Sequence, residues 1–166
     1  MNFLLAVDSP FNTTLLSPEG RMVYRIETAT TSYSVSGALT TTVSKVSPDG
    51  QTQVELGRIA WQSGRPGTVI VHGHELFIAR SKLWGSSRTF TALNGQAYKW
   101  SFENGSSLMA SNDSKQAPAA TYTPSSRSNP GLIHLTPHGL TITGDVLVTF
   151  VCVEGERRNS QRRSTV

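Results

Sequence analysis

What this chain has little of narrows its class before any motif is read. Cys152 is the only cysteine, so no intramolecular disulfide can form. Its place inside an apolar run reads as a buried, inert thiol in a reducing compartment. No window approaches the about 18 consecutive apolar residues that a membrane-spanning helix needs. The opening Met1-Asn-Phe-Leu-Leu-Ala-Val7 has too short an apolar stretch, and no basic flank, to read as a secretory signal. Intracellular residence, in the cytoplasm or peripherally at membranes, is the expectation. The sequons at Asn12, Asn104 and Asn112 then read as chance matches.

Charge of one sign is scarce as well. The net charge of +4 looks like a basic domain until it is located. Arg157, Arg158, Arg162 and Arg163 supply the whole excess, leaving 11 Lys+Arg against 11 Asp+Glu in residues 1–156. A short basic tail raises the isoelectric point, which argues against nucleic acid as a partner. Residues 157–166 read as a disordered tail behind a single domain spanning 1–156.

Catalytic signatures are missing too. There is no Gly-x-Ser-x-Gly elbow, no P-loop and no dinucleotide fingerprint, and the acids are too scattered to form a legible pair. His72-Gly-His74 would set two imidazoles on one face of a strand, but no Cys, His or acid cluster stands nearby to complete a metal site. His134 and His138 flank a turn and read as surface residues. No catalytic residue, metal or cofactor is indicated.

Long helical patterns are absent, while Thr, Ser and Gly are abundant, which points to β structure. With 37% hydrophobic residues among 166, one domain can bury a real core. Ser17-Pro-Glu-Gly20 and Ser47-Pro-Asp-Gly50 are turns. Met22, Tyr24 and Ile26 alternate with more polar neighbours as one half-buried strand. Thr30–Val35 and Ala38–Val46 read as extended. Val54 and Leu56, then Ile59 and Trp61, alternate out of phase around Gly57, the mark of a bulge. Gly64-Arg-Pro-Gly67 reads as a loop, Thr68–His72 as extended, and Arg80–Trp84 as a helical turn. Asn94-Gly95, between Phe90 and the series Tyr98, Trp100, Phe102, is a strong hairpin signal, and Asn104-Gly105 repeats it. Those three aromatics read as core wall. Residues 111–131 are poor in large apolar side chains and read as a loop holding one strand near Ala119–Tyr122.

The run Asp145-Val-Leu-Val-Thr-Phe-Val-Cys-Val-Glu154 admits two readings. Its β-branched residues favour a strand, whereas hydrophobicity on every side fits a helix enclosed on all faces. The segments Asp8–Leu15, Tyr24–Thr28, Arg88–Trp100 and Gly144–Glu154 resemble a fungal family of uncharacterised proteins. That family is similar in turn to the tubby C-terminal, LURP-one-related and phospholipid-scramblase domains. The resemblance implies a mainly β fold, a closed antiparallel barrel of about 12 strands around a hydrophobic C-terminal helix. Twelve residues of helix span about 18 Å, a height matching short strands. Burial of seven large side chains, about 2 kcal/mol each, outweighs a smaller propensity penalty. A helix is therefore expected, capped by Asp145 and ended by Gly155, with Glu154 and Glu156 opposing its dipole.

Arg80, Lys82 and Arg88, with Trp84 among them and Lys99 across the hairpin, form the basic cluster of the body. They are the candidate contacts for an anionic lipid headgroup. The resemblance implies phosphoinositide binding, so a noncatalytic binding or scaffold module leads. A protein-interaction module acting through residues 111–131 or the tail, and a hydrolase or lipid-modifying enzyme, stand as alternatives.

Overall fold

The computed structural model describes residues 1–30, 39–80, 87–103, 106–111 and 117–164. Thirteen strands form one antiparallel sheet: β1 Asn2–Leu5, β2 Thr13–Leu16, β3 Met22–Thr30, β4 Leu39–Val46, β5 Gln53–Gln62, β6 Arg65–Val71, β7 His74–Glu75, β8 Ile78–Arg80, β9 Arg88–Thr91, β10 Ala97–Glu103, β11 Ser106–Ser111, β12 Ala120–Thr123 and β13 Leu132–Leu135. A short helix α1 (Pro137–Thr141) and a long helix α2 (Thr143–Ser164) follow. The spatial order is β7-β6-β5-β4-β3-β2-β1-β13-β12-β11-β10-β9-β8. Every neighbour is thus consecutive in sequence except β1 and β13, which bring the start of the chain against its last strand.

The two edges of this sheet, β7 and β8, are separated in the chain only by Leu76 and Phe77. All neighbouring pairs are antiparallel. Counting directions around the sheet from β1 both ways makes β7 and β8 run the same way. They are therefore two halves of one extended segment. Its first half pairs with β6, at Ile70–Glu75 and Val71–His74, and its second with β9, at Ile78–Phe90 through Arg80–Arg88. The covalent chain crosses from one edge to the other without a hydrogen-bonded ladder. The expected mainly β, antiparallel architecture with a C-terminal helix is present, as a sheet of thirteen strands that hydrogen bonds do not close. The reason is local: two parallel halves joined by two residues cannot fold back on each other.

Residues 144–156 of α2 are buried at every position, and their partners come from all round the sheet. Val148 lies against Gly57 of β5, where an added Cβ would come within 2.3 Å of the Ile70 carbonyl oxygen. Phe150 packs on Tyr122 of β12 and Trp100 of β10, with ring centroids 4.7 and 6.4 Å away. Thr149, the one polar residue of the run, donates to the Asp145 carbonyl oxygen and accepts the Trp100 indole N–H at 2.9 Å. Its hydroxyl satisfies both partners, so a polar atom here costs little.

The bulge expected at Gly57 is present: Val43 pairs with Gly57 and Ser44 with Glu55, so Leu56 is the extra residue. The Asn94-Gly95 hairpin is also present, Gly95 adopting φ 80°. β10 and β11 pair up to Glu103 and Ser106; Asn104-Gly105 between them lies outside the described residues, as do 31–35 and Asn112. Tyr98 and Trp100 are fully buried core wall, and Phe102 is half-buried.

Several expectations need correction. Met22 is exposed, because the β2–β3 register shifts beside it. Ser63-Gly64 and His72-Gly73 are two-residue turns with both φ angles positive, the geometry that matches strand twist. Arg65 consequently begins a strand instead of lying in a loop. Pro137-His-Gly139 is the start of α1, its Thr136 cap accepting from the Gly139 N–H. α2 begins at Thr143 and runs past Gly155 to Ser164. Residues 157–164 are therefore helix and not a disordered tail. Gly155 does not end the helix; it lies beneath Trp61 and Phe11, where a Cβ would meet Trp61 at 2.7 Å.

Candidate functional site

A helix of 22 residues is about 33 Å long, more than the sheet covers. Its last two turns therefore emerge at one end, and this end collects arginines. Arg157, Arg158 and Arg162 come from the helix itself, Arg65 from β6, Arg80 from β8 and Arg88 from β9. Six guanidinium groups stand there with the carboxylates of Asp8, Glu75, Glu154 and Glu156.

Three of these acids, Asp8, Glu154 and Glu156, are spent on specific partners, while Glu75 is exposed and lines the groove with Arg65. Glu156 is the meeting point of Arg80 and Arg88: Arg88 Nε and Nη2 donate to Oε2 at 3.0 and 2.8 Å, and Arg80 donates to Oε1. Burial opposes ionisation of Glu156, but the bonds from Arg80 and Arg88 outweigh it and hold its carboxyl below the ordinary value. Glu154, 1% exposed, accepts from Arg157 at 2.5 and 2.8 Å and from Arg158 at 3.0 Å. Arg158 also reaches Asp8 at 2.6 Å and the Tyr122 hydroxyl at 3.1 Å. Desolvation works against the Arg158 charge, yet its bonds to Asp8 and Glu154 raise its pKa overall. Tyr122 is pushed up to about 12 by burial and by the nearby Glu154. The dipole discord foreseen for Glu154 and Glu156 dissolves, because the helix continues beyond both and each carboxylate has guanidinium partners.

Arg65 and Arg162 differ from these. Each is exposed, and neither has an ion pair among the described residues. They flank the opening on opposite sides of the β5–β6 hairpin, Arg65 in the groove at the sheet's open seam and Arg162 in the cavity beside the helix.

The four candidate residues therefore separate. Arg80, 53% exposed, and Arg88, 14% exposed, are brought together, but on Glu156 instead of facing solvent as a free pair. Lys99 sits on β10 opposite Thr89 and Ala110 and is exposed on the outer face of the sheet, the face opposite its buried neighbours Tyr98 and Trp100. Lys82 and Trp84 lie outside the described residues. Sequence reasoning missed Arg65, hidden in an expected loop, and the ordered placement of Arg157, Arg158 and Arg162. The continuing pattern Glu154-x-x-Arg157-Arg158, with its i,i+3 and i,i+4 pairs, was the available signal that the helix ran on.

The opposite end is chemically quieter. Asp145 accepts the Leu93 N–H at 3.0 Å, tying the helix start to the β9–β10 turn. Burial pushes its carboxyl up, partly offset by that bond. His138 stacks on Tyr98 and shares a 2.6 Å hydrogen bond with its hydroxyl, so it is a packed residue and not a free surface histidine. His134 bonds the Asn2 side chain at 2.6 Å. His72 lies in a turn against Gly144, whereas His74 is on β7 and exposed, so the pair does not share a strand face. Cys152 is buried and its thiol is pushed up by burial. Among the described residues no group of three His, Cys, Asp or Glu is placed to hold a metal ion, and no helix is long and apolar enough to cross a membrane.

No curated protein and no solved structure matches the chain. A family model described as a family of unknown function, DUF6593, matches residues 8–159. That span runs from the Asp8 that holds Arg158 to the Asn159 that bonds the β5–β6 turn. The chain belongs to this family of unknown function.

Proposed function

We propose that the domain is a noncatalytic binding module that sets its arginine-rich end against an anionic surface, the headgroups of acidic phospholipids. The observation that carries this reading is the pair Arg65 and Arg162, exposed and without an ion pair among the described residues, beside the paired Arg80, Arg157 and Arg158. Each basic residue near such a surface contributes about 1 kcal/mol, so two exposed guanidinium groups with partly exposed neighbours give weak, salt-sensitive docking. The resemblance to tubby-like domains, some of which bind phosphoinositides, supports the same direction. It also supports reading the sheet as a barrel of twelve strands, in which β7 and β8 count as one broken strand bridging both edges. In this reading Arg80 and Arg88 position the helix exit through Glu156, and Lys99 takes no part.

Cosedimentation tests it, with phosphatidylcholine vesicles alone or carrying phosphatidylserine or a phosphoinositide. Binding is expected only to the acidic vesicles, falling steeply with added salt. Arg65→Glu with Arg162→Glu should abolish it, and Lys99→Gln should not change it. Equal binding to neutral and acidic vesicles sinks the proposal.

A further inference from the structure

Beside the emerging helix lies a cavity of roughly 840 Å³, within the range that holds small-molecule ligands. Its construction follows from the helix period. Gly155, Asn159 and Arg162 stand at i, i+4 and i+7, on one face of α2. Gly155 lacks a side chain, so Phe11 and Trp61 lie directly against the helix and make an aromatic floor. Their rings meet edge to face, 5.3 Å apart at 70°. Such a floor offers no pair of parallel walls for a flat ring. Leu39, from the start of β4, adds an aliphatic side.

The polar groups of the wall are largely spent within the protein. Asn159 donates to the Gly64 carbonyl oxygen at 3.0 Å, the Asn12 side chain accepts the Thr28 N–H at 3.0 Å, and the Trp61 indole donates to Thr41 at 2.8 Å. A ligand rich in hydroxyls would find few unoccupied partners there. At the rim stands Arg162, and among the described residues it has no ion pair and no carboxylate lines the cavity.

We propose that this cavity binds a single-chain amphiphile with an anionic head, the chain lying over Phe11, Trp61 and Leu39 and the head on the Arg162 guanidinium. A flexible alkyl chain fits an edge-to-face floor that a planar ligand does not, and a guanidinium at the mouth pairs with a carboxylate or sulfate. The inference deepens the reading of this end as anion-binding and rests on it for the sign of the ligand. It adds a half-open subsite with an aromatic floor that a headgroup-docking surface does not require.

The test is calorimetric titration of the full chain with sodium laurate below its micelle concentration. Dodecyltrimethylammonium serves as the cation of equal chain length. The expected result is one laurate per chain, with no saturable binding of the cation. Arg162→Gln should weaken laurate about tenfold, the equivalent of one charge-assisted hydrogen bond. Laurate brominated at its methyl end should quench tryptophan emission in the native protein, and the quenching should be lost in Trp61→Phe. Absence of saturable laurate binding overturns the proposal, as does an affinity unchanged in Arg162→Gln or equal affinity for both amphiphiles. Vesicle binding without laurate binding removes the cavity and leaves the arginine surface. Laurate binding without vesicle binding supports the cavity and removes the surface.

Discussion

One helix passes through two environments here, and its halves obey different physics. From residue 144 to 156 every position is buried, so apolar contact on all sides holds this half, with polar atoms admitted only where a partner waits. Beyond Glu156 the same helix carries Arg157, Arg158 and Arg162, exposed or half-buried, and its neighbours are carboxylates and solvent. Burial fixes the first half; ion pairs aim the second. The boundary is Glu154 and Glu156, two buried acids that draw four guanidinium groups inward to the point where the helix leaves the sheet.

The contrast can be broken most severely at Val148. A Val148→Asp variant sets an unpaired carboxylate between the helix and Gly57, and should lose more than about 4 kcal/mol. Absence of a cooperative thermal transition by circular dichroism is the expected readout. Glu156→Ala comes next. It strands Arg80 and Arg88 and should cost about 3 kcal/mol in urea unfolding. Thr149→Val keeps the shape of the first half but leaves the Trp100 N–H unpaired, for about 1–2 kcal/mol. Arg162→Ala, in the second half, should shift stability by no more than about 0.5 kcal/mol. If Arg162→Ala proved as costly as Thr149→Val, the distinction between the halves would collapse.

Acid titration separates the two ends of the buried segment. The folded-state pKa of Glu156 lies below its ordinary 4.5. Its contribution is therefore complete above that value and is lost as pH falls through the folded-state pKa, because the unfolded chain takes the proton first. Asp145 has the opposite sign. Its folded-state pKa lies above 3.8, so ionisation lowers stability as pH rises through the folded-state value, and the penalty is absent below 3.8. Asp145→Asn should accordingly be more stable than the native protein at neutral pH, with the difference vanishing in acid. Urea midpoints measured across that range, with Glu156→Gln alongside, check both signs.

Much of the fold was legible residue by residue. Asn94-Gly95 announced its hairpin because the turn needs a left-handed residue, which Gly95 supplies at φ 80°, and the phase change at Gly57 announced its bulge. The alternation Tyr98, Trp100, Phe102 placed the first two in the core wall. What was illegible depended on partners distant in sequence. Glu156 looked misplaced at a helix end until Arg80 and Arg88 were seen to meet it, 76 and 68 residues away. Arg80 and Arg88 looked like free cations for the same reason. Gly155 looked like a stop because glycine often is one; here it makes room for Trp61 and Phe11. The arginine end eluded the sequence because its six members come from four elements.

By itself the sequence determined a β-rich domain, its turns, and a run of side chains too apolar to face water anywhere. Those properties follow from local backbone preference and from the cost of hydrating hydrocarbon, which need no knowledge of neighbours. Only the tertiary structure decided how far the helix extends, where the sheet stays open, and which arginines meet acids. Each of these is settled by a pairing between chain segments far apart, and no local pattern encodes which charge will find which partner.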